Sequence, residues 1–299
     1  MKKKISLCIC VWNTSHLLKR SMYTYANQDF PKDDFELIVM DDNSMDDVLS
    51  VIKLYENDIN IKYVRLEHDF GMRGNTVAFN TAFKLSEGEI IAETTPETMF
   101  QPDIVRKMYE GHKNKERAFL SFKTYNLTPQ IQTIIDQIDW MSDIMNISKL
   151  EGWNDPWVQA NAKNTNFRTH QTCSIRKEIF YEITKGLGFP LFMDYGSEDP
   201  WYSGIREKNN IEDITIMDVM PIHQWHTPFQ YWMSKGYAPM LNKHAHTMDN
   251  YMNDKSGHVP KNGTCGIWDG GSTEMLPESS KNEWASWDSI VRSTGCNLV

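Results

Sequence analysis

The first hundred residues alternate between short apolar runs and segments with helical periodicity. The apolar runs are rich in β-branched residues, as expected for strands covered on both faces of a sheet: "ISLCICV" (Ile5–Val11), "FELIVM" (35–40), "IKYVRL" (61–66) and "EIIAE" (89–93). The segments between them begin with turn or capping residues and continue as helices, at about 14–27, 41–57 and 75–85. This alternation predicts a parallel sheet with right-handed crossovers.

The pattern continues beyond residue 100 and then weakens. A predicted helix at 102–112 and a strand at 117–123 precede a polar, tryptophan-rich stretch, 126–168, which is interpreted as an inserted region. Order returns at 170–183, and a loop containing "GSEDPW" leads to a predicted strand at 214–220 and a helix at 228–249. We therefore predict one α/β domain over 1–226, with halves 1–105 and 106–226, followed by a C-terminal helix and a tail or lid over 227–299.

The composition restricts the classes of function. The chain has 299 residues, of which 40% are hydrophobic and 24% charged, and it contains no run of about 18 apolar residues that would span a bilayer. Five cysteines without CxxC pairing indicate reduced thiols, so we expect a cytoplasmic protein without a transmembrane segment. The net charge of −9 argues against nucleic acid as a partner. If the ligand is a phosphate, such an acidic protein is expected to recruit a metal cation.

Polar residues follow three of the predicted strands. "CVWN" (10–13), "MDDNS" (40–44) and "ETTPET" (93–98) each stand at a strand end, and these ends share the edge of a parallel sheet where α/β proteins bind ligands. Beside Trp12, which could stack on a base, Asp42 could accept a hydrogen bond from a base or a ribose hydroxyl; the alternative is a helix cap. The third stretch, with Glu93 and Glu97, is either a metal or phosphate site or a polar turn.

A glycine-containing segment, "DFGMRGNTVAFN" (69–80), lies between the third and fourth strands. Its glycines, Gly71 among them, permit close approach of the backbone, and Arg73 together with helix N-terminal amides could bind a pyrophosphate. The spacing is not GxGxxG, so the dinucleotide-binding fingerprint is absent. The alternative is a flexible loop that leads into an amphipathic helix.

Two further motifs stand near the end of the predicted domain. "SEDPW" places Glu198 and Asp199 at a helix start, where adjacent carboxylates could provide a general base or only complement the helix dipole. "PIHQWHTP" carries His223 and His226, which could bind a metal with Glu97 as the acidic ligand. Two surface histidines without a role are the alternative.

Four of these segments together resemble a known family. "ISLCICVWN", "FELIVMDDNSMDD", "GNTVAFNTAFKLSEGEIIAETTPE" and "GSEDPWYSGIR" occur in the order, and at about the distances, of the motifs of inverting family 2 glycosyltransferases with the GT-A fold. The match covers about 5–105 and 170–226. The resemblance implies an α/β fold of the GT-A type, Rossmann-like, with a mixed and mostly parallel sheet flanked by helices. Residues 1–105 would then be its nucleotide-binding half and 106–226 its acceptor half.

The resemblance implies contacts to a nucleotide sugar from residues that match the family's motifs. "AFN" looks like the family's Ala-Arg-Asn, but Phe79 replaces the arginine, so Arg73 is the expected substitute against the diphosphate. Asp42 would bind the base or ribose. The implied contacts are Val11, Trp12, Asn13, Asp42, Gly71, Arg73, Asn80 and Thr95.

The same resemblance places a metal and a catalytic base. The family's Asp-X-Asp metal motif aligns with Thr95, Pro96 and Glu97, so the acidic ligand is Glu97 and not Glu93. The implied ligands of Mn²⁺ or Mg²⁺ are Glu97 with His223 or His226. "SEDPW" matches the motif of the base, which implies Asp199 as base and Glu198 as its acceptor-positioning partner. Candidate acceptor or sugar contacts are Trp153, His170 and Trp201.

The implied function is metal-dependent, inverting transfer of a sugar from a nucleoside-diphosphate sugar, with UDP as the expected nucleotide, to a hydroxyl of a glycan or glycoconjugate. One alternative is a sugar nucleotidyltransferase, whose glycine-rich basic loop is missing from "CVWNTSHLLKR". The other is a catalytically inactive carbohydrate-binding protein of the same fold, which the weakened metal triplet allows.

Overall fold

The computed structural model describes residues 3–42, 44–66, 75–127, 129–137, 171–186, 188–189, 198–219 and 221–226. Most of the predicted insertion at 126–168, the predicted helix at 228–249 and the C-terminal tail lie outside the described residues. In the part that is described, no helix is both long and apolar enough to cross a membrane.

A mixed seven-stranded sheet forms the centre of the molecule. Its strands are β1 (Ile5–Val11), β2 (Phe35–Asp41), β3 (Ile61–Arg65), β4 (Ile90–Thr94), β6 (Ala118–Phe122), β8 (Thr172–Arg176) and β9 (Glu212–Ile216), in the order β3-β2-β1-β4-β8-β6-β9. The first four strands pair in parallel, as the sequence predicts. Strand β8 runs antiparallel to both of its neighbours, while β9 is parallel to β6. The predicted mixed, mostly parallel sheet is therefore confirmed.

Helices cover both faces of this sheet. The described helices are α1 (Ser15–Ala26), α2 (Val48–Lys53), α3 (Asn75–Leu85), α4 (Ile104–Lys113), α5 (Pro129–Gln137), α6 (Lys177–Ile183) and α7 (Glu198–Lys208), with a 3₁₀ turn at Lys32–Asp34. Apolar residues of α1, α2 and α4 form one core layer and those of α3, α6 and α7 form the other. Leu7 packs into the first layer and Cys8 into the second. Burial on both faces explains why β1 is a continuous apolar run.

A small second sheet lies beside the main one. It consists of β5 (Thr98–Met99), β7 (Tyr125–Asn126) and β10 (Ile222–His223), in the order β5-β10-β7. The antiparallel pairing of β10 with β5 sets His223 opposite Thr98. The strand predicted at 214–220 begins and ends earlier in the structure, as β9 at Glu212–Ile216, and the chain then turns toward β10. These two-residue strands bring the end of the predicted domain back to the tip of β4.

Candidate functional site

The ends of β1 and β2 are tied to each other at the C-terminal edge of the sheet. Asp42 donates its backbone N–H to the carbonyl of Val11 at 2.8 Å. Asn13, at φ 54, donates its backbone N–H to Ser44 Oγ at 3.1 Å, and its Oδ1 accepts the N–H of Met45 at 2.7 Å. The structure therefore places the predicted contacts Val11, Asn13 and Asp42 together. Val11 is wholly buried in the core, and Trp12, which lies between Val11 and Asn13 in the chain, is half-buried.

The residue directly before Asp42 is a buried carboxylate, Asp41, which was not predicted from the sequence. Asp41 Oδ1 accepts the N–H of Ser44 at 2.8 Å, and Oδ2 accepts from Tyr63 Oη at 2.6 Å and from Arg65 Nη1 at 2.9 Å. Burial, together with the hydrogen bond to Asp41, raises the pKa of Tyr63. Asp41 therefore organises the loop that presents Asp42. The alternation along β2 puts Asp41 on the face of Leu37 and Val39, and that alternation was the available signal.

The stretch after β4 forms a braced turn. Residues 95–97 connect β4 to β5, and the hydroxyls of Thr95 and Thr98 lie 2.7 Å apart. Tyr25 on α1 donates its hydroxyl to the carbonyl of Thr98 at 2.5 Å and lies 3.3 Å from that of Thr95. Burial raises the pKa of Tyr25, so this phenol remains a neutral donor. Helix α1 therefore stabilises the turn that carries Glu97, through the hydroxyl of Tyr25.

Glu97, His223 and His226 meet at this turn, as the sequence predicts. Oε1 of Glu97 lies 3.1 Å from Nε2 of His223 and 3.6 Å from Nε2 of His226, and the two imidazole centroids are 5.2 Å apart. One ligand atom from each residue lies within 4.8 Å of the others, which makes this the one group of three or more candidate metal ligands among the described residues. Burial favours the protonated form of Glu97, but hydrogen bonds and charge from both histidines outweigh it and hold the pKa of this carboxyl well below its ordinary value. Glu97 is therefore an ionised carboxylate.

Glu93 lies elsewhere. It is inside β4, in register with Cys8 on β1 and Cys173 on β8, and it is buried. Its charge contributes to raising the pKa of Cys8, after the effect of burial and of Glu36. Glu93 therefore lies within the strand and is not part of the group that Glu97, His223 and His226 form.

Asn80 takes part in a different contact. Its Nδ2 donates to the carbonyl of Phe189 at 2.9 Å, and its Oδ1 accepts the N–H of Phe189 at 2.8 Å. The side chain therefore holds the backbone at Phe189. Its predicted contact with a nucleotide sugar stays a prediction.

Several predicted site residues, or their side chains, lie outside the described part of the structure. Gly71, Arg73, Trp153 and His170 lie outside the described residues. The backbone of Glu198, Asp199 and Trp201 forms the first turn of α7, but their side chains are outside the description. Their roles stay predictions.

Comparison with known proteins gives one family and several partial relatives. The family model described as Glycosyl transferase family 2 matches residues 6–184. The poly(ribitol-phosphate) beta-N-acetylglucosaminyltransferase TarS of Staphylococcus aureus is 35% identical over 88 residues, covering 29% of this chain and 15% of TarS. Validoxylamine A glucosyltransferase of Streptomyces hygroscopicus is 25% identical over 161 residues, covering 52% of this chain and 36% of the relative. This chain thus spans between 15% and 36% of the length of these two relatives.

Solved structures support the same fold. Residues 1–349 of S. aureus TarS, in complex with UDP-GlcNAc, superpose with a TM-score of 0.55 at 19% identity, covering 75% of this chain and 59% of that one. The mannosyltransferase PcManGT from Pyrobaculum calidifontis, in complex with GDP-Man and Mn²⁺, gives a TM-score of 0.57 at 16% identity, covering 87% and 66%. The predicted GT-A architecture is therefore confirmed. With its matched domain spanning more than half of its length, the chain belongs to glycosyl transferase family 2.

Proposed function

We propose that this protein transfers a sugar from a nucleoside-diphosphate sugar to a hydroxyl acceptor, with inversion at the anomeric carbon. One observation carries the proposal: the loops after β1 and β2 and the Glu97–His223–His226 cluster after β4 share the C-terminal edge of one sheet. This edge is where α/β sheets bind nucleotides. Family membership and the named activities of the partial relatives support the transferase assignment over a nucleotidyltransferase.

The residues of the cluster fit a divalent cation. A carboxylate held in its ionised form and two imidazoles supply three ligand atoms within 4.8 Å of one another. Mg²⁺ prefers oxygen ligands throughout, so between the two expected cations a set with two nitrogens favours Mn²⁺ over Mg²⁺. When bound, Mn²⁺ would neutralise charge that develops on the departing diphosphate. The presence of Mn²⁺ with GDP-Man in PcManGT agrees with this choice.

The chain's own residues would bind and orient the donor. Asp42, whose position is fixed by Val11 and by the loop around Asp41, would accept hydrogen bonds from the base or ribose, and Trp12 would lie against the base. TarS was solved with UDP-GlcNAc, which supports UDP as the nucleotide. Arg73, ahead of α3, is the proposed cationic contact to the diphosphate.

The proposed chemistry is a single displacement. Asp199 takes the proton of the acceptor hydroxyl while that oxygen bonds to the anomeric carbon, and the bond to the diphosphate oxygen breaks on the opposite side. The configuration at the anomeric carbon is thereby inverted. Asp199 stands in the first turn of α7, where the helix dipole favours the carboxylate that a base requires. Glu198 beside it would orient the acceptor.

Ligand-dependent stabilisation tests the binding part of the proposal. UDP with Mn²⁺ should raise the thermal transition of the wild type more than either alone, because binding to the folded state stabilises it by mass action. Glu97→Gln should lose the Mn²⁺-dependent part of this shift. Glu56→Gln, which changes an exposed carboxylate on the turn after α2, should retain it. Equal shifts in all three proteins would remove Glu97 from the site.

Turnover tests the chemistry. UDP release from UDP-sugars, measured with ribitol-phosphate polymers and simple glycosides as acceptors, should fall by about 10²–10⁴-fold in Asp199→Asn, the usual contribution of general base catalysis. NMR of the product should show the opposite anomeric configuration from the donor. Nucleotide and Mn²⁺ binding without any transfer in the wild type would instead support a binding protein.

A further inference from the structure

We infer that Gln224 is a positioning residue for the cation site, an inference that rests on the proposed function because it takes Glu97, His223 and His226 as the ligands. Gln224 stands in the chain between the two histidines, and it is wholly buried. A buried side-chain amide requires hydrogen-bond partners, so its partners identify what it holds in place.

Gln224 holds the backbone of Glu97 by two hydrogen bonds. Its backbone N–H donates to the carbonyl of Glu97 at 3.0 Å, and its Nε2 donates to the same oxygen at 3.2 Å. Nε2 also lies 3.1 Å from the carbonyl of Leu17 and 3.3 Å from Ser21 Oγ on α1. The carbonyl of Glu97 is therefore held by the backbone of Gln224, directly after β10, and the side chain of Gln224 links it to α1.

Arg20 determines which way this amide faces. Its Nη1 donates to Oε1 of Gln224 at 3.1 Å, and a guanidinium can only donate. The amide oxygen must therefore face Arg20, which leaves the NH₂ group to donate to the carbonyl of Glu97. Arg20 is paired in turn with Asp136 on α5, and Gln132 on that helix donates to Asp136 and accepts the N–H of Trp225 at 3.0 Å.

This network sets the relative positions of the three ligands. Gln224 directly precedes Trp225 and follows His223, so the segment that carries both imidazoles is anchored on one side by α1 and on the other by α5. The distances of 3.1 Å and 3.6 Å from Glu97 to the two histidines depend on that anchoring. Residues that orient metal ligands typically alter metal affinity by about 10–100-fold when they are changed.

Gln224→Met isolates the role of the amide, because methionine keeps the length of the side chain and removes its hydrogen bonds. We expect Mn²⁺ to bind this variant about tenfold more weakly than the wild type. Arg20→Met, which leaves Gln224 in place but removes the group that orients it, should weaken Mn²⁺ binding in the same direction. The second variant keeps the inference testable if the first does not fold.

Gln28→Met is the matched control. Gln28 is also a buried glutamine of the α1 region, and its amide donates to the carbonyls of Thr24 and Gln101 and accepts the N–H of Val105. Its loss should cost similar stability, but its three partners, Thr24, Gln101 and Val105, do not include a candidate ligand. A merely structural effect would therefore appear equally in Gln28→Met and Gln224→Met.

The experiment is a titration of Mn²⁺ alone into each protein, over all 299 residues, with free Mn²⁺ measured by electron paramagnetic resonance. The inference is supported if Gln224→Met and Arg20→Met bind more weakly while Gln28→Met binds like the wild type. It is overturned if the affinity of Gln224→Met stays within about twofold of the wild type, or if Gln28→Met loses as much. Glu97→Gln separates the proposed cation site from the positioning role of Gln224. Unchanged Mn²⁺ binding in Glu97→Gln would refute the cation site itself. A strong loss of binding in Glu97→Gln with no loss in Gln224→Met would refute only the positioning role.

Discussion

The side chain of Asn80 on α3 makes a closed pair of hydrogen bonds with the backbone of Phe189. The amide nitrogen of Asn80 donates to the carbonyl of Phe189 at 2.9 Å, and the amide oxygen accepts the N–H of Phe189 at 2.8 Å. The side chain thus satisfies both backbone groups of Phe189, as the backbone of a neighbouring strand would. Both Asn80 and Phe189 are buried. The contact fixes the chain shortly before α7, the helix that begins with Glu198 and Asp199.

Asn80→Ala should therefore destabilise the fold. The substitution leaves a buried N–H and a buried carbonyl of Phe189 without partners, and we expect the free energy of unfolding to fall by about 2–3 kcal/mol. Urea denaturation followed by circular dichroism measures this change. Asn60→Ala removes a single exposed hydrogen bond to the carbonyl of Lys32 and should cost much less. If Asn80→Ala is as stable as the wild type and instead raises KM for the nucleotide sugar, the ligand contact predicted from the sequence is the correct role.

Gly188 should tolerate no side chain, because two separate costs meet there. Its φ is +82°, a conformation that favours glycine, and a Cβ atom would lie 2.4 Å from Oδ1 of Asn80. Gly186 has nearly the same φ, +81°, but a Cβ there would meet nothing within 4 Å. We expect Gly186→Ala to cost about 1 kcal/mol in unfolding free energy, from backbone conformation alone. Gly188→Ala should cost more.

A double-mutant cycle isolates the steric part of the effect at Gly188. In an Asn80→Ala background the clashing oxygen is absent, so Gly188→Ala should become no worse than Gly186→Ala. The two changes would then be less than additive, as expected for residues in contact. Strict additivity in urea denaturation would contradict the close approach of Gly188 to Asn80.

His112 should make stability fall on acidification. It is wholly buried on α4, its Nε2 lies 3.0 Å from Ser174 Oγ, and its Nδ1 has no hydrogen-bond partner among the residues that the structure describes. Burial, and secondly the charge of Arg176, lowers the pKa of His112 from 6.5 to about 4. The unfolded chain therefore binds a proton at higher pH than the folded chain does, so the contribution is fully present above pH 6.5 and is lost as the pH falls toward 4. The loss over this window amounts to about 3 kcal/mol.

Unfolding free energies measured from pH 7 to pH 4 test this effect. The proteins to compare are the wild type, a variant at His112 and a control variant at a second histidine, His16. His112→Gln should show a flatter pH dependence than the wild type between pH 6.5 and 4, although its stability at pH 7 is lower. His16→Gln, at an exposed position on α1, should reproduce the wild-type slope. A slope that is unchanged in His112→Gln would assign the acid sensitivity to other groups.

Local pattern explains much of the fold and only part of the site. The strand Ile5–Val11 and the helix Asn75–Leu85 were predicted with the bounds that the structure has, because their burial imposes a continuous apolar run and a helical period. Strands β5, β7 and β10 were not predicted, since two residues carry no period.

The candidate metal ligands were likewise predictable only in part. Glu97 and His223 were selected by residue type and by the resemblance, but their meeting depends on the β5–β10 pairing across 126 residues, which no local pattern encodes. Gln224 was not selected, because a glutamine in a polar motif gives no sign that it will be buried. Its proposed role depends on Leu17 and Arg20 of α1, and on Gln132 of α5 through the neighbouring Trp225, which only the tertiary structure brings together.

The last prediction concerns Arg206, which we expect to fix the position of α7 along the helix axis. Tyr202 and Arg206 follow Asp199 by three and seven residues, so all three lie along one face of the helix. The guanidinium of Arg206 is wholly buried, lies 3.6 Å from the ring centroid of Phe119, and donates from Nε to Asp213 on β9 at 3.0 Å. This pair is more directional than the apolar contacts of α7, so we expect it to set the position of the helix along the sheet. Under the proposed mechanism it therefore also sets the position of the base.

Arg206→Met should lower kcat while the KM for the nucleotide sugar changes little, because a base displaced by about 1 Å can cost up to about 100-fold in rate. Arg206→Lys keeps the charge near Asp213 and should recover part of the loss. Initial rates of sugar transfer, corrected for the folded fraction, measure both parameters. Arg117→Met removes an exposed ion pair with Glu182 and should leave kcat unchanged. A normal kcat in folded Arg206→Met, beside an inactive Asp199→Asn, would mean that α7 keeps its position without the pair, since the packing of Tyr202 against Phe119, Phe180 and Phe189 would then be sufficient.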